Sequence, residues 1–164
     1  MAKEPLDSYL NDHLAGSVAA LELLDHLADA HADTSLGALF SGLHAEISGE
    51  QQELKGLMQT VGAGESGPRK AAAWIGEKVA LLKMGRDDGV GGAFRLLEAL
   101  DTLVAAIRGK EALWRALSAA AEDAPRLREL DYARLIRQAE DQRESLEAVR
   151  IDAARRALAA PEAR

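Results

Sequence analysis

Cysteine is missing from this 164-residue chain, which removes disulfides, thiolate metal sites and a cysteine nucleophile from consideration. Aromatic residues make up only 4%, so any core has to be built from aliphatic side chains. Histidine is scarce too, confined to His13, His26, His31 and His44. Positive charge is outnumbered: 20 Lys and Arg stand against 27 Asp and Glu, a net charge of −7. That balance excludes the concentrated basic surface a nucleic-acid binder needs and disfavours attachment to anionic membranes. No segment approaches the roughly 18 uninterrupted apolar residues of a membrane span. The opening MAKEPLDSYL carries no apolar export-signal stretch, so a cytoplasmic address is expected.

What remains is abundant Ala, Leu, Glu, Arg and Lys, all good helix formers. The apolar residues recur at alternating three- and four-residue spacing, the mark of helices with one buried face. A first helix is expected over about 8–30, capped by Asp7 or Ser8, with Leu10, Leu14, Leu21, Leu24 and Ala28 inward. After a capping turn at Asp33, Thr34 and Ser35, a second is expected over 35–61 with Leu36, Phe40, Leu43, Ile47, Leu54, Met58 and Val61. A glycine-rich break, Gly62 to Gly67, precedes Pro68, which suits the first turn of a short helix over 69–84 containing Trp74. Past a second break at Gly85–Gly89, a long helix is expected over 90–121 through Leu97, Leu100, Val104, Ile107, Trp114 and Leu117. Asp123 and Pro125 punctuate the next turn, and a last helix over 126–160 turns Leu135, Ala139, Leu146, Val149 and Ala153 inward.

The expected fold is all-α: one domain over 1–164, two long helices, a crossover holding a short helix, and two more long helices. At about 1.5 Å per residue the long members span roughly 33–50 Å, which suits a four-helix bundle. The first connector is short enough for an antiparallel hairpin. The stretch from Gly62 to Gly89 is long enough to let the second and third long helices run parallel.

Each long helix places a polar residue inside its apolar stripe. Glu50 lies between Ile47 and Leu54, Glu111 between Ile107 and Trp114, and Gln142 between Ala139 and Leu146. The first helix contributes Ser17, flanked by His13. A buried carboxylate without partners is costly, so two Glu and a Gln at similar depth call for a hydrogen-bonded layer, for exposure at the stripe's edge, or for a ligand. A structural polar layer with no cofactor is the default expectation. The alternative is a site for Fe, Mn or Zn with Glu50, Glu111 and Gln142 as ligands.

This layout resembles the ferritin-like superfamily, whose bundles bind two iron or manganese ions through Glu on all four long helices and two Glu-x-x-His motifs. The resemblance implies a ferritin-like topology and puts Glu50, Glu111 and Gln142 at the metal positions of the second, third and fourth helices. Some ferritins use Gln on the fourth. The chain also departs from that pattern. Leu10, Leu23, Ala28 and Ser41 precede the four histidines by three residues, so no Glu-x-x-His is present. A complete di-iron site is therefore not written here, and a lost or remodelled one is implied.

Other features weigh less. Glu22, His26 and Asp29 share a helix face that points outward, and His44 reads as a boundary histidine with a hydrogen-bond partner. Trp74 and Trp114 read as packing residues. The glycines of 85-GRDDGVGG-92 lack both the Lys-Ser/Thr and the preceding strand of a phosphate loop. Arginines of 150-RIDAARRALAAPEAR-164 complement the end of the last helix. Gly16, Gly37, Gly49, Gly56 and Gly109 are expected to bring helices close together, within one bundle or between the subunits of a homodimer. The functional expectation is a non-enzymatic binding or protein-interaction module. Its alternatives are a variant carboxylate metal protein and a bundle holding a small apolar or amphipathic ligand.

Overall fold

The computed structural model describes residues 4–65, 77, 80 and 91–159. Four long helices carry it: α1 (Pro5–Ala30), α2 (Ser35–Val61), α3 (Gly91–Asp123) and α4 (Tyr132–Leu158), with a 3-10 turn at Pro125–Leu127. The helix expected over 69–84, with Trp74, lies outside the described residues.

Local chemistry sets the ends. Pro5 opens α1 earlier than the expected Asp7 or Ser8, because proline's fixed φ and missing N–H suit a first turn. Between α1 and α2 the Thr34 hydroxyl donates to the His31 carbonyl (2.5 Å) and accepts from the Gly37 N–H (3.1 Å), while Asp33 takes the left-handed region at φ 62°. A Cβ on Gly37 would collide with the His31 carbonyl, so this tight turn needs glycine. Gly62, at φ 74°, closes α2 as a left-handed cap, and the following Ala63 N–H reaches back to the Met58 carbonyl at 2.8 Å.

The last helix starts at Tyr132 rather than near 126. Three groups hold the intervening turn. The Arg128 guanidinium donates to the Ala121 and Glu122 carbonyls (2.8 and 2.7 Å), closing the end of α3. The buried Tyr132 hydroxyl donates to the Leu127 carbonyl (2.5 Å), and the Asp131 carboxylate accepts from the Arg134 N–H (3.0 Å) as the true N-cap.

The core falls into two clusters, one at each end. Leu10 and Leu14 of α1 join Leu57 of α2, Leu117 of α3 and Leu135 of α4 in one. Leu24, Phe40, Leu100 and Leu146 represent the same helices in the other. Thus α1 and α4 run from the first end to the second, while α2 and α3 run back together. The second and third long helices are parallel, and the end of α2 and the start of α3 lie at opposite ends of the bundle. Each fully buried Leu contributes roughly 1.5–3 kcal/mol. The inward stripes match expectation at most positions; Leu21, Ala28, Leu36, Val61 and Val149 are only half-buried, and Leu23, Leu27 and Leu57 widen the apolar faces. A buried amide joins them: Asn11 Nδ2 donates to the Gly64 carbonyl at 2.8 Å and ties the chain beyond α2 to α1.

Of the glycines expected to allow close helix approach, Gly37 meets crowding, whereas a Cβ on Gly49, Gly56 or Gly109 would touch nothing within 4 Å among the described residues. A pair of variants separates the two situations. Gly37→Ala is expected to lose about 1–3 kcal/mol to overpacking. Gly56→Ala, in the exposed helix interior, is expected to gain up to about 1 kcal/mol in the same urea melts. A Gly37→Ala protein as stable as the parent would show that the α1–α2 turn is not so tight.

Candidate functional site

The apolar stripes place two of the expected polar residues at the centre of the bundle. Glu50 and Gln142 are each 2% exposed, and the Gln142 amide N–H donates to Glu50 Oε1 at 2.8 Å and to Glu46 Oε2 at 2.9 Å. The third member is Lys110 of α3. Its ammonium donates to Glu50 Oε2 and to Gln142 Oε1, crossing the bundle from α3 to α2 and α4. Both Glu50 oxygens therefore have donors, and the Gln142 amide uses its carbonyl and its NH2. This is a closed network in which no buried charge is left alone. Burial pulls the Lys110 pKa below the ordinary lysine value, and the carboxylates of Glu50 and Glu46 act against that pull.

Glu111 does not join them. Its side chain is 17% exposed and sits on the edge of α3 facing α4, where Arg115 Nη2 (3.0 Å) and Arg143 Nε (3.8 Å) pair with it. The expected trio of Glu50, Glu111 and Gln142 is thus corrected to Glu50, Lys110 and Gln142. Among the described residues no group of three or more His, Asp or Glu side chains comes together as metal ligands would. The ammonium stands between the Glu50 and Gln142 oxygens that a metal would have to use. Lys110 was within reach of sequence reasoning, because a buried Glu asks for a cation and Lys110 flanks the Ile107–Trp114 seam.

Ser17 forms a separate contact. Its hydroxyl donates to the Leu14 carbonyl (2.7 Å) and accepts from Gln51 Nε2 (2.8 Å), a buried amide that the stripe pattern did not single out. His13 packs edge-on against Tyr9, with ring centroids 4.7 Å apart. Burial lowers its pKa below the ordinary histidine value, partly opposed by Asp12, so the imidazole is neutral at pH 7. His44 has its expected partner across the hairpin, Asp25 Oδ1 at 3.2 Å. Glu22 and Asp29 are exposed, in keeping with a solvated face.

Ser17, His13 and the ion pair are brought together by a cavity of about 290 Å³ between α1, α2 and α3. Ile47, Leu54, Leu103, Leu113 and Trp114 give it apolar walls, and Gln51, Glu50 and Lys110 lie along one side. Gly16 and Ala20 of α1, and Ala106 and Gly109 of α3, line it without filling it. Among the described lining residues, Ala105 is exposed and Asp12, Gly16, Ala106 and Gly109 are half-buried, which puts them on its open side. Trp114 is the expected packing residue, 1% exposed, but its indole Nε1 is buried without a hydrogen-bond partner among the described residues. A buried N–H of that kind has a cost of roughly 1–3 kcal/mol unless something accepts from it.

On the surface between α3 and α4, Arg150 bonds Glu147 (2.8 Å) and Asp101 (3.1 Å), which raises the pKa of the guanidinium and lowers that of Glu147. Ion pairs this exposed contribute little and point to no chemistry.

The chain matches none of the family models, curated proteins or solved structures with which it was compared.

Proposed function

We propose that this protein is a non-enzymatic binding protein, a ferritin-like bundle that holds a small, mainly apolar molecule between α1, α2 and α3. The ferritin-like part of the reading draws support from the parallel course of α2 and α3, which an up-down-up-down bundle does not have. The observation that carries the binding part is the cavity of about 290 Å³. An apolar cleft lined by small residues leaves its walls short of packing partners, so a chain that keeps one gives up stability unless something fills it. An engineered apolar cavity of about 150 Å³ accepts benzene, so this one has room for a molecule nearer two fused rings.

The variant metal site, with Fe, Mn or Zn on Glu50 and Gln142, draws less support. Lys110 already neutralises Glu50, and Glu111 is held by arginines. A metal ion would have to displace a paired ammonium and take up the desolvation it relieves.

The test uses naphthalene with the full-length protein and with Gly109→Leu, whose new side chain grows from a position with open space around it. Naphthalene is expected to raise the melting temperature of the parent saturably, as a ligand of the folded state must, and to leave folded Gly109→Leu unmoved. A parent protein that naphthalene does not stabilise would remove the proposal.

A further inference from the structure

We infer that the molecule held in this cavity is uncharged and carries a hydroxyl group, alcohol or phenol, whose hydrogen goes to Gln51 Oε1. The inference rests on the binding role proposed above and adds the ligand's chemistry. It starts from Ser17. A hydroxyl has one hydrogen, and that of Ser17 is given to the Leu14 carbonyl at 2.7 Å. Towards Gln51 it can only accept, so the amide atom 2.8 Å away has to be the nitrogen. This fixes which way the amide is turned, and its oxygen is the end left over. Gln51 Oε1 accepts no hydrogen bond among the described residues, and it is not one of the buried atoms without a partner, so it keeps accessible surface. Gln51 is an inward residue of α2, 8% exposed, and stands on the cavity wall, so the cavity is where that surface opens. An amide oxygen is satisfied by a donor.

The charged groups decide what kind of donor. Lys110 gives its ammonium to Glu50 and Gln142, so a ligand carboxylate would have to compete with an internal one for it. The same carboxylate would meet Glu50 on the wall and Asp12 on the open side, and burial holds His13 neutral. A ligand ammonium brings three hydrogens and a charge into walls made largely of Leu, Ile, Ala and Gly, where Glu50 is already neutralised by Lys110. A hydroxyl brings one hydrogen and no charge, which matches one amide oxygen in an apolar surround.

Four probes of similar size separate these terms: 1-phenylethanol, the ketone acetophenone, which can only accept, the anion benzoate and the cation of 1-phenylethylamine. Affinities are read by calorimetry on the full-length parent, on Gln51→Met, which keeps the length of the side chain and loses the amide, and on Ser17→Ala. The parent is expected to prefer 1-phenylethanol to acetophenone about three- to tenfold, the range of one hydrogen bond. Gln51→Met is expected to bring the two within about twofold of each other. Ser17→Ala keeps the amide but releases its nitrogen, which can then turn to the ligand as a donor; acetophenone is expected to gain on 1-phenylethanol there. Both charged probes are expected to bind the parent at least about tenfold more weakly than 1-phenylethanol. If Gln51→Met does not fold, the Ser17→Ala comparison decides the matter.

No preference for the alcohol in the parent, or the same preference in all three proteins, would overturn the Gln51 assignment while leaving the cavity as a binding site. Benzoate or the amine binding as tightly as 1-phenylethanol would overturn the claim of an uncharged ligand. If no probe binds, naphthalene included, the binding proposal itself falls.

Discussion

Replacing Lys110 by methionine is expected to remove about 3 kcal/mol of folding stability, and replacing Glu50 by leucine as well is expected to restore most of it. Methionine keeps the length and bulk of the lysine stem, so the loss comes from charge and not from volume. In Lys110→Met the Glu50 carboxylate, 2% exposed, keeps only the Gln142 amide as a donor and must either stay ionised in an apolar interior or take up a proton. The double variant removes the desolvation of both charges together. Gln142 retains Glu46 as a partner on the solvent side. Buried pairs replaced by apolar residues of similar size are often neutral in stability or better, which is why the double variant is expected to recover. Urea melts of the four proteins form a double-mutant cycle, expected to give a coupling of about 2–3 kcal/mol. A Lys110→Met protein as stable as the parent would mean that water reaches Glu50 and that the layer is not dry.

Trp114→Ala is expected to destabilise the fold by about 3–5 kcal/mol, at the upper end for a core truncation. Trp114 is a fully buried large side chain, packed against Tyr132 with ring centroids 6.5 Å apart, and it joins α3 to the α4 end of its cluster. Its neighbours cannot collapse into the gap, because the space on its other side is already open. The truncation therefore enlarges a cavity rather than creating one that could close. Leu117→Ala, on the same face and in the same cluster but absent from the cavity wall, is expected to lose less, about 2–4 kcal/mol. Thermal and urea unfolding check both. A loss below about 1 kcal/mol for Trp114→Ala would contradict the burial assigned to it.

Much of the architecture was legible because the forces that set it are local. The spacing of Leu24, Phe40, Leu100 and Leu146 within their stripes follows the helix period, and Thr34 and Gly62 are chemically suited to the ends they form. The start of α4 was misread because Pro125 is as good an opening for a 3-10 turn as for an α-helix. What decides between them is the long-range reach of Arg128 to the end of α3 and of Tyr132 to Leu127. The polar layer was half legible. Glu50 and Gln142 were read as the inward members, although Gln51 and Arg143 flank the same seams from the other side, and Gln51 is buried as well. On α3, Lys110 and Glu111 lie about 50° to either side of the Ile107–Trp114 seam, and the helix period cannot choose between them. The neighbours choose: α4 offers Arg143 to one edge, and Glu50 awaits a cation on the other. The cavity was not legible, since a void belongs to the assembled helices. Gly16 and Gly109 were read as points of close approach, and the structure sets both along an open space.

The most direct test of the account is a crystal of the full-length protein under xenon pressure. Xenon binds against apolar cavity walls and scatters anomalously. The account expects an anomalous peak enclosed by Ile47, Leu54, Leu103 and Trp114, with the Glu50–Lys110–Gln142 network undisturbed beside it. Density for protein side chains filling that space, with no xenon in it, would contradict the account at its centre.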